Sequence, residues 1–370
     1  AYSNGELMKL SDDGFWWYST NLDNGQYEYQ FNIDGEKLIA DPWSKDVNWK
    51  DIIGINESAD YQKAKTTFII GDSDYQWADS DYNRPLVNEL IIYEMHIGDF
   101  GADDDSYGTF QDLTDKIESG YFETLGINAI ELMPISEFEG GNSWGYDPSF
   151  YMAPESQYGS PQDFKNLIDT AHQNGIAIIL DVVFNHLWGS SPLFQLYQPL
   201  DSFDWQDHNF DECPYFDDEE SLWGYKLEHW HEVSGREYRG WKHITDALDM
   251  WVNEYHIDGF RFDYTPGIGW GGDSNGASFY ANHLDNIDPS LILIAEEDNY
   301  YQINQTDFDS GWDYSYFHTL DANLLEQVNV VNRAFNDVET AYQNRITANC
   351  KSDLFWRITS IDTSTSPIEY

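Results

Sequence analysis

Four apolar runs in this chain stop at polar side chains. ELIIYEMHI carries Glu94 and His96, IAIILDVVF leads into Asp181, Asn185 and His186, GFRFD ends on Arg261 and Asp263, and LILIAEE ends on Glu296 and Glu297. Carboxyl groups, an imidazole and a guanidinium delivered to one place can transfer protons and stabilise charge. They need a scaffold that gathers the ends of separate strands.

The surrounding pattern supplies one. From Asn88 onward, strand-length apolar runs (ELIIYEMHI, INAIELMPI, IAIILDVVF, HIDGFRFDY, LILIAEE) alternate with amphipathic stretches (DLTDKIESGYFETLG, SPQDFKNLIDTAHQNG, ITDALDMWVNEYH) of helical length. Ser160-Pro161 is a helix start signal and Asn174-Gly175 a stop signal. Such alternation predicts parallel strands joined by helices. When the sheet closes as a (β/α)8 barrel, the carboxyl ends of its strands converge on one face. The expected fold class is therefore α/β, a TIM-type barrel over residues 86–370 with a long loop insertion at about 188–240. Before Arg84-Pro85 the texture differs: GFWWYSTNL, GQYEYQFNI and GEKLIADPW are short aromatic runs separated by Asp-Asn-Gly and Asp-Gly, which are hairpin signals. Residues 1–85 read as a small antiparallel β module and a connector with one further strand, KTTFII.

These segments resemble the α-amylase family, glycoside hydrolase family 13. DVVFNH looks like its first signature segment, GFRFD like its second and IAEE like its third, while WGYDP and YMAPESQYGSPQDFKNLIDTAHQNGI are similar to its approach to the third barrel strand. GQYEYQFNIDGEKLIADP looks like the latter part of a family 48 carbohydrate-binding module. Cleaving a glycosidic bond with retention needs one carboxylate to attack the anomeric carbon and one carboxylic acid to protonate the leaving oxygen, about 5 to 5.5 Å apart. The resemblance makes Asp263 the nucleophile, with Arg261 on the same strand face holding it ionised. It makes Glu296 the general acid, its pKa raised by low dielectric and by the charge of Asp263. It also implies sugar contacts from His186, a stacking platform from Tyr146 widened by Trp144, a structural acid at Asp181 near the arginine, and calcium as the metal, reached by Asn185. The loop from Trp188 to Gly240 is expected to wall the sugar cleft.

One expected segment is missing. The family's fourth segment ends in a His-Asp pair, and the nearest run here, FWRITSID, offers Asp362 with no preceding His. Asp362 is the candidate third carboxylate. The residues after it, TSTSPIEY, are too few for an eighth strand and a last helix, so the barrel is expected to be incomplete at strands 7 and 8, through shortening or completion by another chain. Exposed strand edges would then favour an oligomer.

Composition bounds the partners. The 67 acidic against 18 basic residues give a formal charge of −49, which repels nucleic acid and anionic membranes. That balance reads as adaptation to concentrated salt, with an acidic mesophilic protein as the alternative reading. Cys213 and Cys350 form neither a disulfide framework nor a metal-ligand spacing, and the start AYSNGELMKL lacks the regions of a signal peptide. An extracellular location is expected from a starch-like substrate, although the cytoplasm of a salt-accumulating organism would read identically. The resemblance implies a retaining, endo-acting α-1,4-glucan hydrolase on starch-like polysaccharides, and LWGSSPLFQLYQ, which looks like the corresponding stretch of certain bacterial α-amylases, tips the balance toward hydrolysis. The motifs also suit a glucan branching enzyme or maltooligosyl-trehalose hydrolase, or a glucan-binding protein that has lost catalysis with its third carboxylate.

Overall fold

The computed structural model describes residues 5–49, 64–71, 73–101, 107–140, 143–199, 208–220, 223–272 and 275–312. Asp362 and Cys350 lie outside them. Six parallel strands form the central sheet: Ile92–Met95, Ala129–Leu132, Ala177–Val182, Gly259–Phe262, Ile292–Ala295 and Ser310–Gly311. Each pairs with the next in chain order. Sequential parallel pairing with helical crossovers is how a (β/α) barrel winds. Among the described residues, the five apolar runs singled out in the sequence all become strands of this sheet.

The helices between them follow from spacing. Phe164, Leu167, Ile168 and Ala171 recur at three- and four-residue intervals along Pro161–Gln173, as do Ile244, Ala247, Leu248, Trp251 and Tyr255 along Gly240–Tyr255, and all are buried. Each large side chain so buried contributes about 1.5–3 kcal/mol relative to exposure. Ser160 caps the first of these helices through a reciprocal box with Asp163. DLTDKIESGYFETLG gives two helices, Phe110–Glu118 and Tyr121–Leu125, because Gly120 between them takes φ 73°.

The strands bury both faces. Ile130, Leu132, Ile178, Leu180, Val182, Phe260, Phe262, Leu293 and Ala295 pack with the helices in the main core. Ala129, Ala177, Ile179, Ile292 and Ile294 form a separate cluster on the opposite face, covered by Val87, Leu90, Ile92 and Trp312.

In the leading module, Phe31–Ile33 and Lys37–Ile39 make the hairpin that Asp34-Gly35 predicts, with φ of 53° and 79° at the turn. Asp-Asn-Gly does not make one. Gly25–Tyr29 pairs antiparallel with Lys65–Ile70, and Trp16–Trp17 pairs with Lys9–Leu10. Asn24 instead lies over Gly71, where any Cβ would overlap its amide, and Phe68 stacks on Tyr27 and meets the edge of Tyr29. Aromatic cross-strand packing decides the pairing over the local turn signal.

The module is tied to the barrel by buried polar contacts. Lys37 Nζ donates to the carbonyls of Gln195, Leu196 and Gln198 at 2.7, 3.2 and 2.6 Å, satisfying the end of helix Pro192–Tyr197. Trp43 Nε1 donates to Asp246 on the long barrel helix at 3.0 Å. Arg84 pairs with Asp258, just before the fourth strand, at 2.9 Å and with Asp288 at 2.8 Å. The 188–240 insertion carries more structure than its sequence announces. It holds helix Pro192–Tyr197, the hairpin Glu232–Val233 with Arg236–Glu237, and the antiparallel strands Phe216–Glu220 and Tyr225–Leu227, the second of which also pairs with His186–Leu187. No helix of the described residues is long and apolar enough to cross a membrane.

Candidate active site

Strand side chains alternate between faces, so the face that holds Ala177 and Ile179 continues to Asp181, the one with Ile292 and Ile294 to Glu296, and the one with Ala129 to Glu131. Asp181 is the register partner of Arg261, Glu94 of Glu131, and Arg261 of Ile294. The apolar layer of the sheet's inner face is thus topped, at the carboxyl ends of the strands, by a charged layer.

Arg261 is the hub of that layer. Its Nη1 donates to Asp181 Oδ1 at 2.7 Å and to Asp263 Oδ1 at 2.9 Å, and its Nη2 lies 3.0 Å from Glu296 Oε2. Its guanidinium carbon stands 4.4 Å from the ring centre of Trp312. A planar fork with several donors can bridge carboxylates in this way; a single ammonium cannot. Arg261 and Asp181 side chains are 3% and 1% exposed, whereas Asp263 and Glu296 keep 16% and 19%. The inner pair is structural support, and the outer two carboxyls can meet a ligand. Both are held by the two ends of one guanidinium, which brings them to the same place at the carboxyl ends of neighbouring strands.

Three carboxyl groups around one cation cannot all ionise freely. Burial raises Asp263 to about 7, repulsion from Asp181 adds to this, and Arg261 opposes it. Burial also raises Asp181, again against Arg261. Arg261 favours the ionised form of Asp263, as its place on the same strand face leads one to expect, while desolvation opposes it. Burial opposes the charge on Arg261, but Asp181, Glu296 and Asp263 outweigh that and raise its pKa.

Tyr146 donates from its hydroxyl to Asp181 Oδ2 at 2.8 Å, which sets its ring beside the charged layer. Trp144 is 66% exposed. His186 is buried, with Nδ1 2.7 Å from Asn185 Oδ1 and Nε2 2.8 Å from the Tyr146 carbonyl. Burial lowers its pKa to about 4. Both ring nitrogens thus face protein oxygens, which seats the ring between Tyr146 and Asn185. Asn185 directs Nδ2 to Asp263 Oδ2 at 3.2 Å. Both ends of its amide face site residues, an arrangement that does not fit calcium ligation. Among the described residues no group of three or more His, Cys, Asp and Glu is arranged to hold a metal, and no step below uses one.

Glu297 turns away from the site, its Oε1 accepting from the backbone N–H groups of Asp298 and Asn299 at 2.8 and 3.0 Å. Three residues join the site that sequence reasoning did not assign to it: Trp312, Tyr264 and Glu131. Tyr264 donates its backbone N–H to Glu296 Oε2 at 2.6 Å. Glu131 is buried, and burial, then Asp181 and Glu94, push its carboxyl up to about 8. Its signal was present in the sequence, as an acid inside the apolar run INAIELMPI; nothing local marked Trp312.

The family model for the alpha amylase catalytic domain matches residues 91–283, which takes in the Asp181, Arg261 and Asp263 strands. This chain belongs to the alpha-amylase family. Among curated relatives, this alpha-amylase family chain is 31% identical over 259 residues to malto-oligosyltrehalose trehalohydrolase of Saccharolobus solfataricus, covering 69% of this chain and 39% of that one. It is 26% identical over 336 residues to 1,4-alpha-glucan branching enzyme GlgB of Geobacillus stearothermophilus, covering 85% and 49%. The chain therefore spans less than half the length of either relative. Solved structures with a like fold include pullulanase from Bacillus acidopullulyticus, with a TM-score of 0.59 at 24% identity over 86% of this chain and 42% of that one. Another is a mutant pullulanase from Paenibacillus barengoltzii complexed with maltotriose, with a TM-score of 0.59 at 22% identity over 85% and 52%. The fold is the family's TIM-type barrel, and the described sheet is a curled half-barrel of six parallel strands.

Proposed function

We propose that this protein cleaves α-1,4-glucosidic bonds within starch-like polysaccharides with retention of configuration, and that water is the acceptor. The observation that carries this reading is Arg261 gripping Asp263 and Glu296 at once, with both carboxyls open to solvent. Ionised Asp263 attacks the anomeric carbon while Glu296 gives its proton to the departing glycosidic oxygen, leaving a glycosyl ester on Asp263. Glu296, now ionised, takes a proton from water, whose oxygen attacks the same carbon and releases Asp263. Tyr146, fixed by Asp181 and His186, supplies an apolar face beneath the sugar. Asp181 is committed to Arg261 and Tyr146, so a third carboxylate must come from elsewhere, and Asp362 is the candidate.

A second reading is favoured by the relatives, a trehalohydrolase and a branching enzyme. The steps through the glycosyl ester are the same, and another sugar replaces water as acceptor in the branching case. Product analysis on amylose, with Asp263→Asn and Glu296→Gln alongside wild type, tests both. New reducing ends support hydrolysis, and new branch points support transfer. Binding without either would leave a glucan-binding protein, and variants that match wild type would overturn the assigned roles.

The leading module serves in this reading as a carbohydrate-binding unit, supported by its exposed Phe15, Trp16, Trp17 and Tyr18. The acidic excess serves solvation in concentrated salt. Refolding yield should then climb across a salt series, and full stability in dilute buffer would remove the halophilic part of the proposal.

A further inference from the structure

The residue after Asp263 is built unlike the rest of the site. Tyr264 takes φ 38° and ψ 57°, the left-handed region that bulky side chains avoid. Strain of that kind persists where the surroundings enforce it. Here the backbone N–H is fixed on Glu296 Oε2 at 2.6 Å and the carbonyl accepts from Gly267 N–H at 2.8 Å. The ring lies directly over Gly267, where any Cβ would overlap it. The twist leaves Tyr264 42% exposed, and its ring meets Trp223, 50% exposed, edge to face, with centroids 5.1 Å apart and planes at 74°. Two large aromatic rings from different parts of the chain are thus held in solvent beside a carboxyl pair.

Their side of the site follows from strand order. The Arg261 strand lies between the Asp181 strand and the Glu296 strand. Tyr146 is bonded through its hydroxyl to Asp181, whereas Tyr264 is bonded through its backbone N–H to Glu296, so Tyr264 adjoins the Glu296 carboxyl. The group that protonates the leaving oxygen is on the Tyr264 side. We infer that Tyr264 and Trp223 form an aromatic platform for the glucosyl unit on the leaving-group side of the cleaved bond. This rests on the carboxylate roles proposed above. Neutral rings suit the C–H faces of a pyranose.

The test compares maltoheptaose with α-maltosyl fluoride, whose leaving group is a single fluoride with no sugar to stack. In the full chain, Tyr264→Ala and Trp223→Ala should each lower the ratio of kcat/KM on maltoheptaose to that on the fluoride by about tenfold. Tyr264→Phe, which keeps the ring, should restore most of that ratio. An unchanged ratio in both alanine variants, or equal loss on both substrates, would overturn the platform. Maltoheptaose titrated calorimetrically into Asp263→Asn protein, with and without Tyr264→Ala, separates this from the reading beneath it. Roughly tenfold weaker binding in the double variant supports the platform even if wild type turns over neither substrate, an outcome that would sink only the proposed activity. Equal binding by the two proteins would sink the platform itself.

Discussion

Nη2 of Arg261 lies 3.0 Å from Oε2 of Glu296, on the neighbouring strand, while Nη1 of the same group holds Asp263. One side chain therefore fixes the spacing of two carboxyls that the chain separates by more than thirty residues. Arg261→Lys keeps the charge and loses the fork. It should lower kcat on amylose by about two orders of magnitude with secondary structure retained. Steady-state rates alongside far-ultraviolet circular dichroism check this, and a variant as fast as wild type would remove Arg261 from the site's geometry.

The pH profile should report the carboxyl cluster. Attack requires ionised Asp263, and burial followed by repulsion from Asp181 pushes that carboxyl to about 7. The acidic limb of kcat/KM should then rise through an apparent pKa near 7, a value belonging to the cluster as a whole. Asp181→Asn removes the repulsion, so the limb should move to lower pH. A limb that stays in place would assign it to another group.

Glu131 is predicted to weaken the fold as pH rises. Its carboxyl is raised to about 8 in the folded chain, so the native state holds a proton that the unfolded state has released at intermediate pH. The stability linked to this group is fully present below the unfolded value near 4.5 and is lost as pH climbs through about 8. Glu131→Gln should therefore flatten the fall in stability between mildly acidic and mildly basic solution, and exceed wild type at the basic end by about 1 kcal/mol or more. Urea unfolding at both ends of that range measures it. Parallel curves for the two proteins would contradict the shift.

The strands and the outer carboxyls were legible in the sequence because buried parallel strands are written as unbroken apolar runs, and a polar residue at the end of one stands out. Asp181, Arg261, Asp263 and Glu296 do converge as that pattern predicts. What was not legible depends on contacts between distant segments. The hairpin expected at Asn24-Gly25 yields to packing of Phe68 on Tyr27 and Tyr29. His186 turns inward because Asn185 and the Tyr146 carbonyl meet its ring. Trp312 reaches Arg261 from the sixth strand, and the left-handed turn at Tyr264 has no marker in its own neighbourhood, which contains no glycine at that position. The upward shifts of Asp263, Asp181 and Glu131 likewise follow from burial, which sequence does not reveal.

The covalent step itself can be caught. The 5-fluoro group slows breakdown of a glycosyl ester while the anomeric fluoride leaves readily, so the full chain incubated with 5-fluoro-α-maltosyl fluoride, digested and analysed by mass spectrometry should carry one added 5-fluoromaltosyl mass on the peptide containing Asp263. Its absence from Asp263→Asn protein would complete the assignment. A label on any other carboxylate, or stoichiometric turnover of the fluoride by a protein that never becomes labelled, would contradict attack by Asp263.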